Sequence, residues 1–145
     1  MTTQSAAAIH ALVPCAGVGE RAGVGGPKQY ARVGGRTVVA HTLAALARVS
    51  RLMQTLVVLA PGDLQFETAV PGFNGLVARE GGATRAATVR AGLSVLKRHG
   101  ARDDDWVLVH DAARPCLRPD DLSRLVELGT RHPVGALLAQ PMSDT

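Results

Sequence analysis

Aromatic residues are scarce in this sequence: one Trp, one Tyr and two Phe make up 3% of 145 residues. A surface that stacks single-stranded bases needs exposed rings, so that class of function is disfavoured. No run of Lys and Arg occurs either, although the net charge is +4 and the pI about 9.8. The excess charge therefore points to a small anionic ligand rather than a nucleic-acid backbone. Cysteine is limited to Cys15 and Cys116, with no metal-type spacing and no disulfide framework, which suits a reducing compartment. No apolar run approaches the ~20 residues that span a bilayer. The N-terminus lacks a basic n-region and His10 interrupts its apolar stretch, so no signal peptide is expected. A soluble, cytoplasmic protein is the expectation.

What is present is small and apolar. Hydrophobic residues make up 46% of the chain, dominated by Ala, Val and Leu, and this length suits one domain with a real core. Positive charge is concentrated early. Residues 1–60 hold Arg21, Lys28, Arg32, Arg36, Arg48 and Arg51 against the single acid Glu20.

Apolar runs alternate with helical periodicity. Ile9 to Val13 reads as a buried strand, followed by a loop over Pro14 to Gly26. Gly34-Gly35 is a turn. Val39, Leu43, Leu46 and Val49 recur at helical spacing within Thr37 to Val49. Gln54 to Ala60 is a continuous apolar run, the mark of a parallel strand covered on both faces. Residues 61–75 carry little pattern, and Leu76 to Arg79 suits a short strand. Thr84 to His99 predicts a helix with Val89, Leu93 and Leu96 on its packed face. Asp103 to Asp105 reads as a solvated acidic turn, and Trp106 to Val109 as a strand. Pro119, Asp120 and Asp121 suit the first turn of a helix, with Leu122, Leu125 and Val126 as its core face. Gly135 to Ala139 reads as a further strand. The alternation predicts an α/β fold: a mostly parallel sheet with helices on both faces. In such sheets ligands bind beyond the carboxyl ends of the strands.

Three segments follow strands and so can share that edge. The first is Leu12 to Tyr30, with Gly17, Gly19, Gly23, Gly25 and Gly26 and the cations Arg21 and Lys28. Glycines after a strand expose backbone N–H groups to an anion, and two cations suit a polyphosphate. Ala22 stands at the third position of a dinucleotide fingerprint, where alanine is tolerated, but Pro27 with five glycines opposes the long helix that a dinucleotide fold opens there. The segment is not a Walker A loop, since no G-K-[S/T] ends it. The second segment is Gly81-Gly82 leading to Arg85–Thr88 at a helix start, where polar ligand groups are favoured. The third is His110 to Pro115, in which Asp111 either caps a turn or, with Arg114, orients a phosphorylated alcohol or holds Mg²⁺ indirectly. His110 reads as a packed histidine, Cys15 as a small loop residue and Cys116 as a buried small apolar residue.

The series P-x-A-G-x-G-x-R, PKQY, GG-x-x-R-x-x-T-V, VLVHDAARP and P-x-x-D-T, in this order along the chain, resembles the 2-C-methyl-D-erythritol 4-phosphate cytidylyltransferases of the non-mevalonate isoprenoid pathway. The resemblance implies a Rossmann-like nucleotidyltransferase, homodimeric, using Mg²⁺ bound through the CTP phosphates. It would join CTP to methylerythritol phosphate with release of pyrophosphate. It also implies roles. Pro14, Ala16, Gly17 and Gly19 would hold CTP; Arg21 and Lys28 would stabilise the transition state; Gly82 and Thr88 would lie around the cytosine. Asp111 and Arg114 would meet methylerythritol phosphate, and Thr145 would reach the partner subunit's substrate. No nucleic acid or membrane partner and no protein metal ligand is implied.

Departures from the family pattern are Cys15 for Ala, Ala83 for an acid and Thr88 for Ser, the last keeping its hydroxyl. The family continues past the P-x-x-D-T segment on which this sequence ends. The expectation is thus one CTP-binding domain over residues 1–145, truncated and lacking its C-terminal part. The rival readings are a ribitol-5-phosphate cytidylyltransferase and, if the chain stops at Thr145, an inactive nucleotide-binding fragment.

Overall fold

The computed structural model of the chain describes residues 6–18 and 26–143. Strand β1 (Ile9–Cys15) leads to a 3-10 turn at Lys28–Tyr30 and a hairpin of β2 (Arg32–Val33) and β3 (Arg36–Thr37). Helix α1 (Val38–Ala47), β4 (Leu52–Leu59), the single turn α2 (Phe66–Ala69) and β5 (Leu76–Ala78) follow. Helix α3 (Arg85–Arg98), β6 (Trp106–Val109) and α4 (Pro119–Gly129) complete the order.

The sheet runs β5-β4-β1-β6 and every pairing in it is parallel. Its core follows the period of two that a pleated strand imposes. Ala11, Val13, Cys15, Val57 and Leu59 point to one face, where they pack with Val39, Leu43 and Leu46 of α1 and Leu122 of α4. Leu12, Leu56 and Val58 point to the other and meet Val95 and Leu96 of α3. Leu12, Leu46, Leu56, Leu59 and Leu96 are all at most 1% exposed. At ~2 kcal/mol for each such side chain, this burial outweighs the exposed ion pairs many times over.

Pro14 sits in the central strand without disrupting it. The β1 carbonyl at Leu12 faces β6 and accepts from His110 N–H at 3.0 Å. Pro14, two residues on, turns the same way, but β1 pairs with β6 only as far as Leu12 and Val109. The missing N–H therefore costs no ladder bond. At the hairpin, Gly34 and Gly35 have φ of +57° and +81°, the pair of left-handed conformations that a two-residue turn between twisted strands requires.

The periodic expectations for α1 and α4 agree with the packing. Val39, Leu43, Leu46 and Val49 are buried, as are Leu122 and Val126. Five expectations are corrected. Cys15 is no loop residue: it ends β1 opposite Leu59 and is 2% exposed. Gly135 to Ala139 forms no strand: the segment pairs with no neighbour, and Leu137 is 92% exposed. An apolar run becomes a strand only when an edge accepts its backbone. On α3 the packed stripe is Thr88, Gly92, Val95 and Leu96, with Leu93 45% exposed, because Gly92 lets the helix settle against Leu12 and Val58. Cys116 is exposed, since it lies in an irregular connection outside any element. Asp105 is not solvated.

The Asp105 side chain is 5% exposed and ties the chain's first described residues to the start of β6. It accepts from Ala8 N–H at 2.8 Å, from Arg102 N–H at 2.8 Å and from His10 Nε2 at 3.1 Å. The Arg102 N–H bond, then the Ala8 and His10 bonds, pull its carboxyl down to about 2. A depressed carboxylate contributes stability above its unfolded pKa of roughly 4 that is lost as pH falls through the folded value. Asp105→Ala is therefore expected to lower Tm at pH 7. Thermal unfolding across pH should show the gap to the unsubstituted protein closing between about pH 4 and pH 2; a gap independent of pH contradicts the assignment.

The two thiols should also separate. Cys15 is 2% exposed and burial pushes its thiol up to about 12, which removes the thiolate that alkylation requires. Iodoacetamide at pH 8 should give one adduct in the native protein, mapped by peptide mass spectrometry to Cys116. Labelling of Cys15 at a similar rate would contradict the packing.

Candidate active site at the carboxyl edge of the sheet

Residues 16–18 follow β1 and are tied to the PKQY turn through Gln29. Pro27 sits at φ −63°, ψ 132°, and Lys28–Tyr30 then closes a 3-10 turn with Tyr30 N–H on Pro27 C=O at 3.0 Å. This places Gln29 inward, 7% exposed, and leaves Lys28 exposed with no ion-pair partner among the described residues. The Gln29 amide nitrogen donates to Gly17 C=O at 2.9 Å and to Cys15 C=O at 3.4 Å. Both carbonyls are thereby engaged within the protein rather than left free to face an anion. Tyr30 fixes the other end by donating to Asp63 Oδ2 at 2.6 Å. Burial, then that bond, raises the Tyr30 hydroxyl far above its ordinary value, so it stays a donor. The second Asp63 oxygen accepts from Gln65 and Phe66 N–H at 2.9 and 3.1 Å.

The Gly81-Gly82 turn lies directly against this loop. Gly81 N–H bonds to Leu59 C=O at 2.8 Å, continuing the β4 edge. A Cβ at Gly81 would meet that same carbonyl at 2.6 Å and overlap the Ala16 methyl; only glycine permits the approach. Helix α3 begins immediately after, with the Thr84 hydroxyl accepting from Ala87 N–H at 3.1 Å as its cap. Thr88 is 2% exposed. Its hydroxyl accepts from Gly82 N–H at 3.1 Å and donates to Thr84 C=O at 3.0 Å, so it shapes the turn around Gly82 from within.

The third segment leaves β6 and crosses the same edge. His110 Nε2 pairs with Arg114 C=O at 2.9 Å, closing the loop on itself. Ala112 is buried, and its carbonyl accepts from Thr42 of α1 at 2.8 Å. Asp111 points the other way, toward α3: Arg85 Nε donates to Oδ1 at 2.8 Å and Arg114 Nε to Oδ2 at 3.0 Å. Partial burial pushes this carboxyl up, but the two guanidiniums, Arg85 foremost, outweigh it and hold Asp111 below its ordinary value. Glu80, the acid beside the turn, is drawn off to Arg98 at 2.5 Å. The edge thus carries Lys28, Arg85 and Arg114 with Asp111 already neutralised, a setting that suits a polyanion.

The structure accordingly brings Pro14, Ala16, Gly17, Lys28, Gly82, Thr88, Asp111 and Arg114 to one edge. Gly19, Arg21 and Thr145 lie outside the described residues. Sequence reasoning passed over Gln29, Asp63 and Arg85. Arg85 stood inside the quoted GG-x-x-R pattern, but its partner Asp111 is 26 positions away. A groove of about 580 Å³ lies elsewhere, between α1 and the segment before β5, and is lined by Arg36, Ala44, Phe73 and Asn74 among others. It opens at the amino-terminal starts of β4 and β5, where no cluster of candidate site residues stands. Among the described residues no three His, Cys, Asp or Glu side chains form a metal cluster, and no helix is long and apolar enough to cross a membrane.

Residues 9–145 match the family model described as IspD, 2-C-methyl-D-erythritol 4-phosphate cytidylyltransferase. The chain is 52% identical over 136 residues to a bifunctional enzyme IspD/IspF of Albidiferax ferrireducens, covering 93% of this chain and 32% of that protein. It is 48% identical over 138 residues to a 2-C-methyl-D-erythritol 4-phosphate cytidylyltransferase of Paraburkholderia phytofirmans, covering 94% and 58%. A solved structure of 4-diphosphocytidyl-2C-methyl-D-erythritol synthase superposes with a TM-score of 0.84 at 38% identity, covering 96% of this chain and 62% of that one. The chain therefore spans somewhat over half the length of its monofunctional relatives. Rossmann-like fold, edge and motifs agree: the chain belongs to the IspD family of 2-C-methyl-D-erythritol 4-phosphate cytidylyltransferases.

Proposed function

We propose that this chain supplies the CTP-binding edge of an enzyme that transfers CMP from CTP to 2-C-methyl-D-erythritol 4-phosphate, releasing pyrophosphate, in isoprenoid precursor synthesis. The observation that carries the proposal is the meeting of the glycine loop, the Gly81–Thr88 turn and the Asp111–Arg114 loop at one sheet edge. The proposal extends to a homodimer in the cytoplasm, with Thr145 reaching the partner's substrate.

The chemistry follows from charge. An oxygen of the acceptor phosphate attacks the α-phosphorus of CTP. A new P–O bond forms as the bond to the β-phosphate oxygen breaks, and pyrophosphate leaves. Charge grows on the α-phosphoryl oxygens and on the leaving group, so fixed cations placed there are the main catalytic means. Loop N–H groups from Ala16 and Gly17 would cradle the phosphates, Lys28 and Arg21 would meet the developing charge, and Gly82 would frame the base. Arg114 would receive the acceptor phosphate. The nucleophile is already anionic, so no general base is needed, and His110 is committed to Arg114 C=O.

Mg²⁺ would enter with the triphosphate rather than on Asp111, both of whose oxygens accept from guanidinium N–H groups. Bound there, it would neutralise phosphate charge alongside Lys28 and Arg21.

Pyrophosphate release from CTP, measured with the protein as its gene encodes it, should require methylerythritol phosphate. Turnover with ribitol 5-phosphate instead would overturn the acceptor assignment. Lys28→Ala and Arg21→Ala should each lower kcat by about 10²-fold, as for loss of one preorganised donor. An effect confined to KM would show that they bind only the ground state.

A further inference from the structure

Arg85 occupies an unfavourable place. It is the first residue of α3, and no acid stands in that helix's first turn. The positive end of the helix macrodipole opposes a cation there. Thr84 already caps the helix, so Arg85 is not needed to start it. What compensates is Asp111, which sits on the loop after β6 and takes Arg85 Nε at 2.8 Å.

The bridge joins two parts of the site that lie 26 positions apart in the sequence. On one side are Gly82 and Thr88, three residues before and after Arg85, whose hydrogen bond at 3.1 Å shapes the turn beside Ala16. On the other is the loop of Asp111 and Arg114. Each guanidinium spends its Nε on one Asp111 oxygen, and among the described residues the Nη groups of both have no hydrogen-bond partner. A carboxylate clasped in this way cannot rotate freely, and Arg114, its side chain 75% exposed, is held at Nε. Behind the loop, Thr42 on Ala112 C=O closes off retreat toward the core.

We propose that Arg85 is a positioning residue for the acceptor: it acts through Asp111 to hold Arg114 in place, and so links the nucleotide turn to the acceptor loop. This rests on the cytidylyltransferase reading above. The contribution is geometric, since the pair is half open to water, and it appears where orientation of the acceptor is rate- or affinity-limiting.

A double-mutant cycle tests it, using the protein as its gene encodes it: unsubstituted, Arg85→Gln, Asp111→Asn and both together, with Arg85→Lys as the conservative variant. Arg85→Gln should raise the acceptor KM about tenfold and leave the CTP KM within about twofold, as expected for coupled neighbours. In the Asp111→Asn background the same change should add less than about twofold, because the pathway through Asp111 is already cut. Arg85→Lys, which keeps the charge, should recover part of the loss, and Tm should stay near that of the unsubstituted protein. Three results would overturn the proposal. One is effects that multiply in the double variant. Another is a rise in the CTP KM alone, which would make Arg85 a triphosphate ligand. The third is a fall in Tm with both KM values moving alike, which would make it a structural tether. The cycle runs equally on ribitol 5-phosphate, so a wrong acceptor assignment and a wrong role for Arg85 give different results.

Discussion

The parallel register of β1 between β4 and β6 governs this molecule. Leu12 pairs with Leu56 on one side and Val109 on the other, and no water reaches either face of it. A one-residue slip would exchange the two cores, sending Leu12 toward α1 and Val13 toward α3. Because the strands run the same way, fixing β1 also fixes where three loops emerge. Ala16, Gly81 and His110 all leave the sheet at the same edge, and that convergence turns three ordinary loops into one surface.

The polar groups at that edge are mostly committed within the protein before any ligand arrives. Gln29 holds the carbonyls of Cys15 and Gly17, Thr88 holds Gly82, and Asp111 is shared by Arg85 and Arg114. Among the described residues, the Lys28 ammonium and the Nη groups of Arg85 and Arg114 have no partner within the protein. Preorganised donors of this sort need little rearrangement when charge develops on a phosphoryl group. The groove at the other end of β4 has volume, with Arg36 as the one cation among the described residues that line it.

Much of this was legible in the chain and some was not, for a physical reason. The α1 stripe from Val39 to Val49 and the buried run of β4 could be read because their signal is local periodicity. The glycine segment, PKQY and HDAARP could be read because each motif is contiguous. The roles of Asp105 and Arg85 could not, since each depends on partners far along the chain: Ala8 and His10 for the first, Asp111 for the second. Gly135 to Ala139 misled for a related reason. Apolar composition shows that a segment could be covered, and only the sheet edge decides whether it is paired.

A nucleoside triphosphate bound at the carboxyl edge would lie across loops from three strands. Titration of the ¹⁵N-labelled protein with CTP and Mg²⁺, followed through backbone amide resonances, tests it most directly. The account predicts shifts concentrated at Ala16, Gly17 and Lys28, at Gly81 to Thr88, and at His110 to Arg114. Shifts centred instead on Arg36, Ala44, Phe73 and Asn74, around the groove at the opposite end of β4, would contradict it.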